Sequence, residues 1–153
     1  MRTFAGAAYR WLIAIFVLCV IVQFFLAGAG AFGQQLGGSA PHLEDQESWD
    51  GHRAFGFVVV LLALLLLVVC LAWWSERIWL LGTFLLALLA FVEFPLASAG
   101  ENHRWVGALH PANAGVILLL SGWLAYRAWK RDLFPSRKVR ESAEVDPRTA
   151  ENP

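Results

Sequence analysis

The sequence predicts an all-α membrane protein, a four-transmembrane-helix up-down-up-down bundle built from two parallel hairpin repeats. Three observations predict it. Hydrophobic residues make up 58% of the 153 positions and charged residues only 16%, far from the balance of an ordinary soluble domain. Residues 11–43, 54–75 and 105–126 contain no Asp, Glu, Lys or Arg at all. The octet QFFLAGAG at 23–30 returns as EFPLASAG at 93–100, with Phe24/Phe94, Leu26/Leu96, Ala27/Ala97, Ala29/Ala99 and Gly30/Gly100 identical.

A bilayer core about 30 Å thick needs about 20 mostly apolar residues per helix, which places the crossings near 11–32, 53–74, 78–99 and 107–129. Transmembrane β-strands would alternate in polarity instead. The first run ends in AGAGA, a pattern of small residues that also marks signal-peptide cleavage. It is too long for a signal h-region, and the repeat requires it as a helix. The second run opens on HRAFG at 52–56 and stays apolar to Trp74. The third, Ile78–Ala99, spans if Glu93 is tolerated, and its Pro95 frees a backbone carbonyl and bends the helix end. The fourth opens on HPANA at 110–114. Residues 1–133 therefore form one transmembrane bundle. The segment 134–153 is charged, proline-containing and poor in apolar residues, and reads as a disordered cytoplasmic tail. The acidic stretch 42–50 is expected to be ordered only where it meets the second helix.

Charge sets the orientation. Arg2, Arg10, Arg77, Arg127, Lys130, Arg131 and the RKVR run at 137–140 share one side; Glu44, Asp45, Glu47, Asp50 and Glu101 share the other, with Arg53 and Arg104. Basic loops stay inside, so both termini are cytoplasmic and the protein is multi-pass in a plasma membrane. Trp11, Trp73, Trp74, Trp79 and Trp129 then mark the inner interface, Trp49 and Trp105 the outer. The formal net charge of zero reflects this separation of signs. Cys19 and Cys70 lie inside apolar runs without C-x-x-C spacing and read as packing residues. There is no nucleotide-binding loop, hydrolase triad or thiolate metal spacing, which argues against a self-contained enzyme. The expected partners are the lipid bilayer and a membrane or periplasmic redox protein, not a nucleic acid.

Two hairpins of equal orientation form a parallel repeat about an axis along the membrane normal, and the small residues of the octets allow close backbone approach. The helix after each octet begins with a histidine followed four residues on by a tiny residue: His52 with Gly56, His110 with Ala114. That spacing puts the tiny residue one turn away on the same helix face, leaving room for a flat ligand. The second and fourth helices occupy opposite corners of the bundle, roughly 11–14 Å apart if neighbours pack at 8–10 Å. Two imidazoles with one metal between them fit that gap, and haem b held by two histidines near the outer face is the expected occupant. Gln23 and Glu93 occupy equivalent positions at about the same depth. An ionisable group there must be neutralised by protonation or by a partner; Gln23, Asn113 and water are candidates. Arg53 and Arg104 either pair with haem propionates or with Asp50 and Glu101. His42 and His103 lie in loops and read as solvated. A b-type haem protein passing electrons is one reading of these residues. A cofactor-free bundle with an accessory or partner-binding role is the other.

The H-R-x-x-G string at 52–56 and the H-x-x-x-A opening of the fourth helix resemble one four-helix half of haem A synthase. The layout over about 130 residues is also similar to a family of small bacterial four-helix membrane proteins known as a domain of unknown function. The resemblance implies haem ligation by His52 and His110. It gives no support for haem oxidation chemistry: where that enzyme has a glutamate three residues before the histidine of its second helix, this chain has Trp49, and it carries one half rather than two.

Overall fold

In the computed structural model four helices run α1 (Arg2–Leu36), α2 (Glu44–Trp73), α3 (Arg77–Gly100) and α4 (Arg104–Leu133). The structure describes residues 2–36, 44–73, 76–100 and 102–133, and the side chains of 4–32, 49–72, 76–100 and 102–130. The tail 134–153, His42, Trp74 and Glu101 lie outside the described residues. All four helices are long and apolar enough to cross a membrane, as the sequence predicts.

The helices overrun the predicted spans. At 1.5 Å per residue a 35-residue α1 is about 52 Å long, more than the 40–45 Å or so of a whole bilayer. A helix satisfies its own backbone hydrogen bonds and has no reason to stop where lipid does. The acidic stretch, expected to be ordered only near the second helix, is itself the first turns of α2 from Glu44 onward. Negative charge suits a helix N-terminus. Pro95 sits inside α3 and Pro111 inside α4 without ending either helix.

Each helix packs on its two ring neighbours: α1 on α2 and α4, α3 on α2 and α4. Among the described residues the diagonal pairs make no close backbone approach. The reason is legible in the buried residues. Apart from Gly30, Val60 and Ala87, they form four sets: Tyr9, Ile13, Phe16 and Val20 on α1; Val59, Ala63, Leu66 and Cys70 on α2; Trp79, Thr83, Leu86 and Ala90 on α3; Ile117, Ser121, Leu124 and Ala128 on α4. Every set is spaced four, three and four residues apart. This 3.5-residue period keeps one seam of each helix facing the bundle axis.

The three buried hydroxyls of these seams are all hydrogen-bonded. Tyr9 and Thr83, each fully buried, share a hydrogen bond of 2.7 Å between α1 and α3. Ser121 Oγ donates to the Leu118 carbonyl at 3.1 Å. The Tyr9 ring meets Trp79 edge-on, with centroids 5.9 Å apart. Arg127 reaches over the Trp79 and Trp123 rings at 5.7 and 5.0 Å, an arrangement suited to the aromatic belt of an interface.

The half of the bundle that holds the termini is thus densely filled. At the other end α1 turns into α2 and α3 into α4. There Gly100 and Gly107 lie against each other: a Cβ added to Gly100 would stand 2.7 Å from the Gly107 Cα. The close approach expected of the octets is realised at the last residue of the second one.

Candidate functional site

Continuing the four-three spacing along each seam toward the turn end leads away from bulky residues. On α1 it reaches Gln23, Ala27 and Gly30; on α3, Glu93, Ala97 and Gly100. On α2, read backward from Val59, it reaches Gly56, His52 and Trp49; on α4, read backward from Ile117, it reaches Ala114, His110 and Gly107. The seams that build the core therefore also deliver the polar groups. Gln23 and Glu93 come at one level, with the histidines about a turn nearer the loops. Across from the histidines the seam positions are alanines, and one turn below them are Gly56 and Ala114. This loss of side-chain volume leaves a cavity of about 370 Å³.

The cavity is lined by Gln23, His52, Arg53, Gly56, Glu93, His110 and Ala114 together with apolar side chains such as Phe24, Phe57 and Phe94. The Phe57 and Phe94 rings pack 4.8 Å apart on the α2–α3 side. Of the residues singled out in the sequence, Arg104 is not brought to the cavity. Its guanidinium lies over the ring of its neighbour Trp105 at 5.1 Å, on an exposed helix start where an arginine reaches water. His103 is exposed.

The imidazoles of His52 and His110 face each other across the bundle, with ring centroids 6.1 Å apart and planes at 82°. Each is held by its own hairpin. His110 Nδ1 pairs with Glu93 Oε2, with side-chain exposures of 29% and 17%. The other carboxylate oxygen accepts from Asn113 Nδ2 at 2.9 Å, and the same Asn113 nitrogen reaches the Leu89 carbonyl at 3.0 Å. His52 Nδ1 meets the Gln23 backbone carbonyl at 3.3 Å. The Gln23 amide nitrogen donates to the His52 carbonyl at 2.8 Å and lies 3.5 Å from His52 Nε2, too far for a strong bond. The two hairpins therefore repeat a contact as well as an octet: the first octet residue holds the histidine of the following helix.

With both Nδ1 atoms engaged, the two Nε2 atoms are left to meet a ligand. This is the arrangement by which a hydrogen bond on one ring nitrogen fixes which nitrogen a metal receives. Gln23 Oε1, Glu93 Oε2 and His110 Nδ1 are buried without a well-formed hydrogen bond among the described residues, the last two being in ion-pair contact. Gly56 has a second function beside making room in the cavity, since a Cβ there would stand 3.2 Å from the Gln23 amide nitrogen.

Asn113 and Trp49 complete the surroundings. Trp49, at the position where the resembled enzyme has glutamate, lies edge-on to His52 at 5.6 Å. Asn113 is off the seam by one residue, on the side of α4 that faces α3. A polar residue one step from a seam position, beside a buried carboxylate on the neighbouring helix, is the signal that points to it. Among the described residues no three His, Cys, Asp or Glu side chains converge as a metal cluster. Comparison with known families, with curated proteins and with solved structures returns no match.

Proposed function

We propose that this chain is an integral membrane b-type haem protein that transfers electrons, with His52 and His110 as the axial ligands near the outer face of a bacterial plasma membrane. The observation that carries this reading is the facing histidine pair. The two ring centroids stand 6.1 Å apart, near enough for the pair to share one metal ion. The donors fit as well. Both Nδ1 atoms are tied back, and the walls are mostly apolar, as haem sites require. The cavity of about 370 Å³ lies within the range of roughly 300–1,000 Å³ usual for ligand sites.

When bound, haem supplies a one-electron couple. The residues of this chain hold and tune it. His52 and His110 would ligate it, Glu93 and the Gln23 carbonyl would orient them, and the alanine and glycine seam positions would give it space. Arg53, at the cavity wall, is placed for a carboxylate substituent of the ring, for which a guanidinium fork is well shaped. The likeness of the HRxxG string to one half of haem A synthase supports the same ligand pair. The basic charge gathered at the terminal end supports cytoplasmic termini and hence a site in the outer leaflet.

The test is optical. The purified chain in detergent is expected to show a Soret band and, in alkaline pyridine, the spectrum of haem b. His52→Ala or His110→Ala is expected to abolish the six-coordinate low-spin spectrum, and His42→Ala to leave it intact. A colourless protein that stays colourless after incubation with haemin refutes the proposal and leaves the cofactor-free reading. That reading has its own support in the edge-on ring contact of the histidines.

A further inference from the structure

The two hairpins hold their histidines unequally. Glu93 accepts a hydrogen bond from Asn113 at one oxygen and has the other against His110 Nδ1 in an ion-pair contact, and Asn113 is itself anchored to the Leu89 carbonyl. The result is a braced carboxylate aimed at His110 Nδ1. A carboxylate holds an imidazole more strongly than a neutral group does. It also raises the basicity of the imidazole as a ligand. His52 has no such brace. Its Nδ1 meets a neutral peptide carbonyl at 3.3 Å, beyond the 2.7–3.2 Å or so of a well-formed N–H···O bond. The position in α2 that corresponds to Asn113, three residues beyond the histidine, is Phe55, which can anchor nothing polar.

The inequality extends to the space beside each ring. At His52 the Gln23 amide nitrogen, a neutral donor, lies 3.5 Å from Nε2, and Gln23 Oε1 has no partner among the described residues. At His110 the corresponding residue is the braced carboxylate. A small neutral molecule that replaced His52 would meet an amide donor beside it. One that replaced His110 would meet the Glu93 carboxyl group and would first have to part the imidazole from it.

We infer that His110 is the fixed axial ligand and His52 the exchangeable one, so that the Gln23 side of the cavity is a binding site for small neutral ligands of the carbon monoxide type. The inference rests on the haem reading of the pocket. The exchange is a ligand substitution: the coordinate bond from His52 Nε2 breaks, one from the incoming molecule forms, and no electrons are gained or lost. Glu93 and Asn113 act as positioning residues, Gln23 as the group that greets the incoming ligand.

The experiment uses the full chain purified with its haem, reduced with dithionite and mixed with carbon monoxide. The wild type is expected to form a carbon monoxide complex slowly, limited by release of His52. His52→Ala is expected to bind at least tenfold faster and to keep the wild-type iron–carbon stretch, because His110 still lies opposite. Glu93→Gln is expected to shift that stretch, and Gln23→Leu to raise the carbon–oxygen stretch by removing the amide donor. A wild-type ferrous protein that refuses carbon monoxide overturns the inference. So does a Glu93→Gln stretch identical to wild type, or a His110→Ala protein that keeps the wild-type signature while His52→Ala changes it. If His110→Ala loses its haem, the Glu93→Gln comparison still decides. Absence of any Soret band from the wild type is a different result, which defeats the haem reading itself.

Discussion

Gly100 and Gly107 offer a test of the bundle that depends on no cofactor. A methyl group added to Gly100 stands 2.7 Å from the Gly107 Cα and 3.2 Å from its nitrogen. Carbon atoms prefer about 3.5–4.0 Å, and the atoms it strikes are backbone, which cannot rotate aside. Relief requires α3 and α4 to part by about an ångström. Overpacking of this kind costs about 1–3 kcal/mol. Gly100 is the last residue of α3, so the better helix propensity of alanine offsets little of that. The reciprocal change is different. A methyl group on Gly107 finds its nearest neighbours, the Gly100 Cα and oxygen, at 3.4 Å, which is tight but ordinary contact. Inside α4 alanine is favoured over glycine by up to about 1 kcal/mol. Gly100→Ala is therefore expected to lower stability by about 1–3 kcal/mol, and Gly107→Ala to leave it within about 1 kcal/mol of wild type. Unfolding in mixed detergent and dodecyl sulfate, followed by tryptophan fluorescence, reads both. Equal effects, or a larger loss at Gly107, would refute the packing argument.

Three further outcomes are expected. Tyr9→Phe leaves the buried Thr83 hydroxyl without its 2.7 Å partner and should cost about 1–3 kcal/mol; adding Thr83→Val should recover most of it, and a double variant worse than the sum would contradict the pairing. Glu93→Leu strips the acceptor from His110 Nδ1 and should destabilise the apoprotein by about 1–3 kcal/mol, whereas Glu93→Gln keeps an acceptor and should cost clearly less; equal losses in the same assay would mean that the contact does not stabilise the bundle. For the orientation, Ser48→Cys should react with an impermeant thiol reagent added to intact cells and Ser136→Cys should not, the reverse pattern placing the cavity in the other leaflet.

The fold was largely legible because its causes are local and repetitive. Apolar runs long enough for a bilayer allow little but helices, and four of them with short connections make an up-and-down ring. The four-three spacing of Tyr9, Ile13, Phe16 and Val20, repeated on every helix, is also in the sequence, though hidden there because lipid-facing positions such as Leu18 and Phe25 are equally apolar. Burial in a membrane protein is not signalled by hydrophobicity. The equivalence of Gln23 and Glu93 was readable as a repeat, but the partner of each was not: the choice between Gln23, Asn113, water and a histidine depends on side-chain rotation. The structure pairs Glu93 with Asn113 and His110. Arg104 illustrates the converse. A charge at the end of a span has an easy path to water, so its position in the sequence does not oblige it to face the cavity.

The filled half of the bundle has a bearing on energy conversion. Below the cavity, Ile13, Phe16, Leu66, Leu86 and Leu124 leave nothing of themselves exposed, so the pocket is a dead end. A proton, ion or small molecule in the pocket meets a filled interior on the terminal side and has no path through it along the bundle axis. Carrying one elementary charge through a full 100 mV involves about 2.3 kcal/mol. A charge placed in this pocket and withdrawn on the same side does no net work against that voltage. The bundle can thus hold chemistry within the lipid without short-circuiting the membrane it sits in.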